Sequence, residues 1–295
     1  KEKYPDIKLI QNDENFGYCE GNNIGIREAE GDYIIILNPD TIVESNWIEE
    51  LISAYNKFGE GLYQPKILSL EKTQILQSTG NMLHIFGFGF ARDKGKNDNL
   101  EKNTIEKIGY ASGTCLFTSK KVLKQVGLLD PFLFLYHDDL DLGWRAAQIG
   151  IGSYYVPNSV IYHVESYALK WNAKKFYWLE RNRKYCILTH YSKKTYAKIL
   201  PSLILVDFFV WLFYLSKGFL GSKIKAEIDI LRNKKHIEKK YQELESRKTM
   251  PDEELIRQFP NEIFVPLNVS EDSLNKRFNS VLSRLSKRSK QSILS

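Results

Sequence analysis

The sequence predicts an α/β fold in which helices flank a mainly parallel sheet, followed by a helical extension. The first observation is the apolar run Tyr33–Leu37, which is typical of a buried strand and ends abruptly at Asn38-Pro39-Asp40. The second is the alternation of β-favouring and amphipathic segments before residue 170. The third is the change to long helix-prone segments after residue 171.

Composition and charge limit the classes of protein. The 295 residues can bury a full core, and 43% hydrophobic with 26% charged residues is ordinary for a globular chain. The net charge of +6 fits an anionic substrate or an anionic membrane surface better than nucleic acid, so no nucleic-acid partner is expected. The three cysteines are far apart and indicate a reducing, cytoplasmic setting rather than disulfides.

The first elements follow from apolar periodicity and capping signals. We predict strands at 7–11, 33–37 and 62–69, a helix at about 21–30, and a second helix capped by Ser45 or Asn46. Residues 80–107 are Gly-rich and polar, which indicates a long functional loop.

Further elements follow after residue 108. Strand character returns at 109–119, a short helix follows at 119–126, and an acidic cluster precedes a helical stretch. A last strand, at about 153–156, leads to His163. The predicted organisation is therefore a catalytic domain at 1–170, basic aromatic helices at 171–198, a hydrophobic membrane-associating segment at 199–221 and a charged helical tail at 222–295.

The apolar run at 199–215 is shorter than the roughly 20 residues that a spanning helix needs. Three alternatives stay open for it: an interfacial helix, a tilted or re-entrant anchor, and a core helix of a soluble protein. Flanking lysines together with Trp211 and Tyr214 favour a membrane surface.

Asp40 is the first candidate for chemistry. Pro39 fixes φ and removes a backbone donor, so the strand must stop there and Asp40 follows its carboxyl end. Open α/β sheets bind ligands at that edge, where a carboxylate can hold a divalent cation against phosphate oxygens. An ordinary turn aspartate is the alternative.

An acidic cluster and one histidine are further candidates. Asp138, Asp139 and Asp141 either favour the positive end of a helix dipole or repel one another, which would raise one pKa to suit a general base. His163 is either structural or a metal ligand.

A Gly- and Asn-rich segment before the first helix is the remaining candidate. Asn15, Gly17, Gly21 and Asn22 would let backbone amides approach an anionic or nucleotide ligand. Glycine and asparagine also mark ordinary turns, so this signal is weak by itself.

As a set, these motifs resemble a known family. The stretch from Asn15-Phe16-Gly17 to Gly25, then Asn38-Pro39-Asp40-Thr41, the acidic cluster and His163 are similar, in that order, to family 2 glycosyltransferases of the GT-A fold. The likeness is greatest to the rhamnosyltransferase-like branch, and it covers roughly residues 7–191.

The resemblance implies roles by position. Asn38 replaces the first acid of the family's DxD motif, so Asp40, completed by His163, would hold Mg²⁺ or Mn²⁺. Asp139 would be the catalytic base, with Asp138 and Asp141 as neighbouring acids. Donor-binding residues would be Asn15, Gly17, Gly21, Asn22, Asn38, Asp40 and Arg145. Arg181-Asn182-Arg183 resembles the basic stretch that follows the catalytic domain.

The function implied by the resemblance is inverting transfer of a sugar in cell-surface polysaccharide synthesis. The donor would be a nucleotide-diphosphate sugar, and the acceptor a hydroxyl of a glycan or lipid-linked molecule at the cytoplasmic face of the membrane. Nothing matches the family's first strand and loop, so we expect an incomplete N-terminus. A sugar nucleotidyltransferase and a catalytically inactive, membrane-attached carbohydrate-binding remnant stay open as alternatives, as does homo-oligomerisation.

Overall fold

A computed structural model describes residues 5–98, 104–164, 172–263 and 273–295. They form a central sheet flanked by helices, as predicted. The strands are β1 Tyr33–Leu37, β2 Thr41–Val43, β3 Gly61–Ser69, β4 Leu76–Ser78, β5 Asn81–Leu83, β6 Gly89–Ala91, β7 Glu106–Ile108, β8 Cys115–Ser119 and β9 Gly152–His163. The helices are α1 Gly17–Glu28, α2 Trp47–Phe58, α3 Lys120–Val126, α4 Asp138–Gln148, α5 Ala173–His190, α6 Lys193–Ser216, α7 Leu220–Arg232, α8 Lys234–Arg247, α9 Asp252–Gln258 and α10 Ser273–Leu294.

The prediction of a mainly parallel sheet is wrong for the described strands. The order is β1-β8-β3-β9-β2, with β4 beside β3 and β7 beside β9. Only β3 and β9 pair in parallel, while the other pairings of this sheet are antiparallel. An apolar run is typical of a strand in a parallel sheet, but the direction of its neighbours depends on connections that a local pattern does not contain.

The predicted strand at 7–11 is also wrong. Residues 8–12 have no regular structure, and the side chain of Leu9 is 65% exposed. The following helix begins at Gly17 instead of residue 21, and Gly17 has a φ of +77°, which glycine adopts readily.

Two apolar clusters cover the two faces of the sheet. Trp47 and Leu51 of α2 pack with Tyr63 and Phe117 on one face. The larger cluster joins the other face to α3, α4, α5 and α6, and it includes Trp144. The acidic start of α4 is therefore held between the sheet and the helical extension.

The segment at 80–107 contains a hairpin of β5 and β6, followed by β7 at its end. Residues 99–103 of this predicted loop lie outside the described residues. After β9, α5 packs against α7 and α8, and α6 continues without interruption through Pro201.

Candidate functional site

A pocket of about 400 Å³ opens where β1 and β9 end and α4 begins. This volume is within the range of small-molecule sites. Five of the predicted site residues line it: Asn38, Asp40, Asp138, Asp139 and His163. The tertiary structure thus brings together residues that lie more than 120 positions apart in the chain.

Strand pairing explains why Asp40 meets His163. The antiparallel register of β2 and β9 sets Thr41 opposite His163, and the backbone oxygen of Asp40 accepts a bond from Val164. As a result, Asp40 Oδ1 lies 3.4 Å from His163 Nε2. Both side chains are partly exposed, at 30% and 12%.

Gln77 of β4 fixes the orientation and tautomer of His163. Its Nε2 donates to the backbone oxygen of His163 at 2.7 Å, and its Oε1 lies 2.8 Å from His163 Nδ1. Because a carbonyl oxygen only accepts, the amide nitrogen must face it, so Oε1 faces the ring and Nδ1 carries the hydrogen. In the neutral ring, Nε2 therefore presents its lone pair toward Asp40.

This donor set fits a divalent cation. A carboxylate oxygen beside an imidazole nitrogen whose other nitrogen is hydrogen-bonded is a common arrangement of metal ligands. Two protein ligands leave several coordination positions for phosphate oxygens or water, as is usual for Mg²⁺ and Mn²⁺ in phosphate sites. No sequence signal singled out Gln77, since only the β3–β4 pairing places it here.

Asp139 lies in the first turn of α4 and lines the same pocket. Its Oδ2 accepts from the backbone of Gly113 at 3.0 Å, and its Oδ1 from Leu140 at 2.8 Å. Burial nevertheless raises the pKa of Asp139. Burial, and then the charge of Asp139, raise the pKa of Asp138 well above its usual range. Asp139 is therefore the carboxylate suited to accept a proton, and Asp138 is the neighbour that stays protonated to higher pH.

The loop before these acids is strained and clamped. Phe134, Tyr136 and His137 all have φ above +60°, a region that non-glycine residues rarely adopt. The Nδ2 atom of Asn182 donates to the backbone oxygens of Leu133, Leu135 and Tyr136 at 3.0, 2.9 and 2.7 Å.

Arg181 completes this clamp by donating to the carbonyls of Phe132 and Leu133 at 2.5 and 3.0 Å. Both Arg181 and Asn182 are buried. The predicted basic stretch of α5 thus includes two side chains that hold the loop leading to Asp138 and Asp139.

Two predicted site residues lie outside the pocket wall. Asp141 is fully buried, and its Oδ2 accepts from Arg145 Nε at 2.8 Å. Arg145 also donates to the carbonyls of Val126 and Leu128, both at 2.9 Å. This charge partner overcomes burial and lowers the pKa of Asp141. The ion pair fixes α4 against the end of α3 and does not reach the pocket.

The predicted donor-binding loop is also absent from the wall. The backbone amides of Tyr18 and Cys19, which start α1, donate to Phe134 instead of facing a ligand. A Cβ on Gly17 would lie 2.5 Å from the ring of Phe134, so this glycine permits close packing. Similarly, Asn15 accepts from the Gly17 backbone, and Asn22 donates to the backbone of Tyr18. Gly21 lies inside α1, away from the pocket lining.

Tyr18, which the sequence did not indicate, does line the pocket and donates to the backbone of Gly113. Two clusters of three ligand-type side chains also occur among the described residues, and neither involves Asp40: Asp141, Cys186 and His190, and Glu180, Asp207 and Glu227. Arg145 neutralises the first, while Lys223, Arg183 and Lys184 neutralise the second, which explains both without an ion.

Comparison with known proteins tests the predicted fold and the predicted family resemblance. A crystal structure titled GalNAc-T7 with UDP, GalNAc and Mn²⁺ superimposes with a TM-score of 0.52 at 17% identity, over 66% of this chain and 39% of that one. This likeness confirms the GT-A glycosyltransferase fold. Residues 1–127 match the model of glycosyl transferase family 2.

Curated relatives point to a branch of the family. The low-salt glycan biosynthesis hexosyltransferase Agl10 of Haloferax volcanii is 29% identical over 53% of this chain and 52% of its own length. An N-acetylglucosaminyl-diphospho-decaprenol L-rhamnosyltransferase of Mycobacterium tuberculosis is 26% identical over 57% and 62%. Rhamnosyltransferase WbbL of Escherichia coli is 24% identical over 57% and 72%. The rhamnosyltransferase-like resemblance is thus confirmed, although the match spans only half to two thirds of the first two relatives.

Proposed function

We propose that this protein is an inverting glycosyltransferase that moves a sugar from a nucleotide-diphosphate donor to a hydroxyl group in glycan synthesis. The observation that carries the proposal is the pocket with Asp40 and His163 on one wall and Asp139 at the start of α4. The relatives named for glycan synthesis and rhamnosyl transfer support the substrate class. The acceptor is proposed to be a glycan or a lipid-linked molecule.

Each residue has one role in the proposed reaction. Asp40 and His163 would hold Mg²⁺ or Mn²⁺, which would neutralise the donor diphosphate as it leaves. Asp139 accepts the proton of the acceptor hydroxyl. That oxygen forms a bond to the anomeric carbon from the face opposite the diphosphate, whose bond to the carbon breaks, so the configuration inverts. Asn38 lines the same pocket as Asp40, and its proposed role is to contact the donor.

The position of Asp139 favours this reaction over the alternatives. A sugar nucleotidyltransferase needs no base for a sugar hydroxyl, and an inactive binding remnant needs no clamped acid. The free, buried cysteines agree with a reducing compartment, and we propose the cytoplasmic face of the membrane as the location, with peripheral or monotopic attachment.

Substitution of the base tests the proposal. Asp139→Asn should retain metal-dependent binding of the nucleotide diphosphate but lose at least about a hundredfold in sugar transfer, because the amide cannot take the proton. Asp32→Asn, an exposed aspartate at the protein surface, is the matched control. Transfer is followed with a panel of nucleotide sugars and a soluble glycan acceptor. Turnover at the wild-type rate in Asp139→Asn would exclude the assigned role.

A further inference from the structure

Helix α6 presents an apolar face that the rest of the described chain leaves open. Its buried side includes Ile199, Val206 and Val210, which pack toward the core. The opposite side, from residue 197 to residue 215, carries only apolar exposed side chains: Ala197, Pro201, Ile204, Leu205, Phe208, Leu212, Phe213 and Leu215. Most of them recur at helical spacing, so they form a strip about 27 Å long.

Helix α7 carries a second row of exposed apolar side chains. Ile224, Ile228 and Leu231 are exposed at spacings of four and three residues. Because α6 and α7 pack against each other, the two rows belong to neighbouring elements. We call these two rows the α6–α7 surface. An exposed apolar area of this length marks an interaction site.

The middle of α6 is tied to the soluble part of the protein. Asp207, on the inward side, lies 2.7 Å from Nζ of Lys223, which is fully buried and belongs to α7. Arg183 and Lys184 of α5 contact the same carboxylate at 3.3 and 3.2 Å. By length and composition α6 could cross a bilayer, and only 28% of its most apolar stretch is buried in the protein. If α6 crossed a bilayer, Asp207 and the charged side chains of α5 and α7 that pair with it would enter the hydrocarbon core, which is costly for charged groups.

The charges around the α6–α7 surface identify its occupant. Exposed lysines mark both ends of α6, at Lys193, Lys194 and Lys217, and α7 adds Lys225 and Arg232. These two helices carry three acids: Asp207 and Glu227 pair with the buried Lys223, and Asp229 accepts a hydrogen bond from Tyr177. In a symmetric dimer through this surface, the basic rim would face itself, whereas anionic lipid headgroups complement it.

The surface is also connected to the pocket. The hydroxyl of Tyr214 donates to the backbone of Phe176 at 2.9 Å, and that of Ser222 to the backbone of Ala173 at 2.7 Å. Ala173 and Phe176 belong to the first turn of α5, whose Lys175 lines the pocket. The end of α6 therefore sits on the turn that forms part of the pocket wall.

We propose that the α6–α7 surface lies in the plane of an anionic bilayer without crossing it, and holds the pocket at the headgroup level for a lipid-linked acceptor. The acceptor part of this inference rests on the proposed function, while the binding geometry does not. Of the alternatives for residues 199–221, the interfacial helix is thus selected, with α7 as a second contact.

Vesicle binding by the full chain is the first test. Phe208→Glu and Ile228→Glu should each weaken sedimentation with phosphatidylglycerol-containing vesicles by about tenfold or more, since each replaces an exposed apolar side chain that would enter the bilayer with a charged one. Leu9→Glu adds the same charge at another exposed apolar residue and should bind like the wild type. Transfer to a soluble acceptor should remain unchanged in all three. Equal vesicle binding by the wild type and Phe208→Glu would overturn the inference.

Cysteine labelling distinguishes lying on the bilayer from crossing it, because Cys19, Cys115 and Cys186 are all buried. With a membrane-impermeant maleimide added outside vesicles, Lys194→Cys and Lys217→Cys should both be labelled, and Phe208→Cys should be protected only when vesicles are present. Labelling of one end alone would show that α6 crosses the bilayer. Protection of Phe208→Cys without lipid, increasing with protein concentration, would show a second copy as the occupant. Either result refutes the proposal.

Discussion

The hydrogen bonds of Gln77 give a quantitative prediction for metal binding. Gln77→Leu removes both contacts to His163, at 2.7 and 2.8 Å, and puts an apolar side chain of similar size in place of the amide. His163 then loses the partner that fixes its Nδ1–H tautomer and its ring orientation. Loss of such outer partners typically lowers metal affinity by about 10–100-fold, or about 1.4–2.7 kcal/mol.

The assay is a titration of the full chain with Mn²⁺ in the presence of a nucleoside diphosphate, with free Mn²⁺ measured by electron paramagnetic resonance. Gln77→Glu keeps an acceptor for Nδ1–H and should lose less affinity than Gln77→Leu. Ser78→Ala is the matched control, because Ser78 is buried on the same strand and bonds Gln64 and Asn81 instead of His163. The reasoning fails if Gln77→Leu binds Mn²⁺ like the wild type, or if Ser78→Ala loses as much.

Two further predictions concern the base and its support. Burial raises the pKa of Asp139, and a general base works in its unprotonated form, so kcat/KM should fall as the pH drops through a value above the ordinary carboxyl pKa of about 4. Asp138→Asn should keep this fall at acidic pH. The same fall in the residual activity of Asp139→Asn would contradict the assignment. Asn182→Ala removes three bonds to the loop before α4, so kcat should fall roughly ten- to hundredfold while Mn²⁺ affinity is kept. Thr189→Ala, buried on the same helix and bonded only within it, is the control, and an equal loss of kcat there would point to general destabilisation.

Local patterns were sufficient for the elements that carry the site. The strand Tyr33–Leu37 and its end before Pro39 are confirmed, since an apolar β-favouring run and a missing backbone donor are properties of the residues themselves. Its predicted burial is only partly correct, because Tyr33 and Leu37 are exposed at the end of the strand order. The short helix at 119–126 is confirmed as Lys120–Val126, where Ser119 accepts a capping bond from Val122. The same patterns predicted a strand at 7–11 that the structure lacks, because a β-favouring run needs a pairing partner.

The sequence by itself indicated the likeness to family 2 glycosyltransferases, the GT-A fold class and the candidates Asp40, Asp139 and His163, because each follows from residue type and position in a motif. Only the tertiary structure decided which candidates meet. Strand register brings Asp40 to His163, whereas Arg145 is taken up by Asp141. It also revealed Gln77 and Asn182, whose contacts join segments that are tens of residues apart. Such contacts depend on pairing and packing across the whole fold, and no local pattern records them.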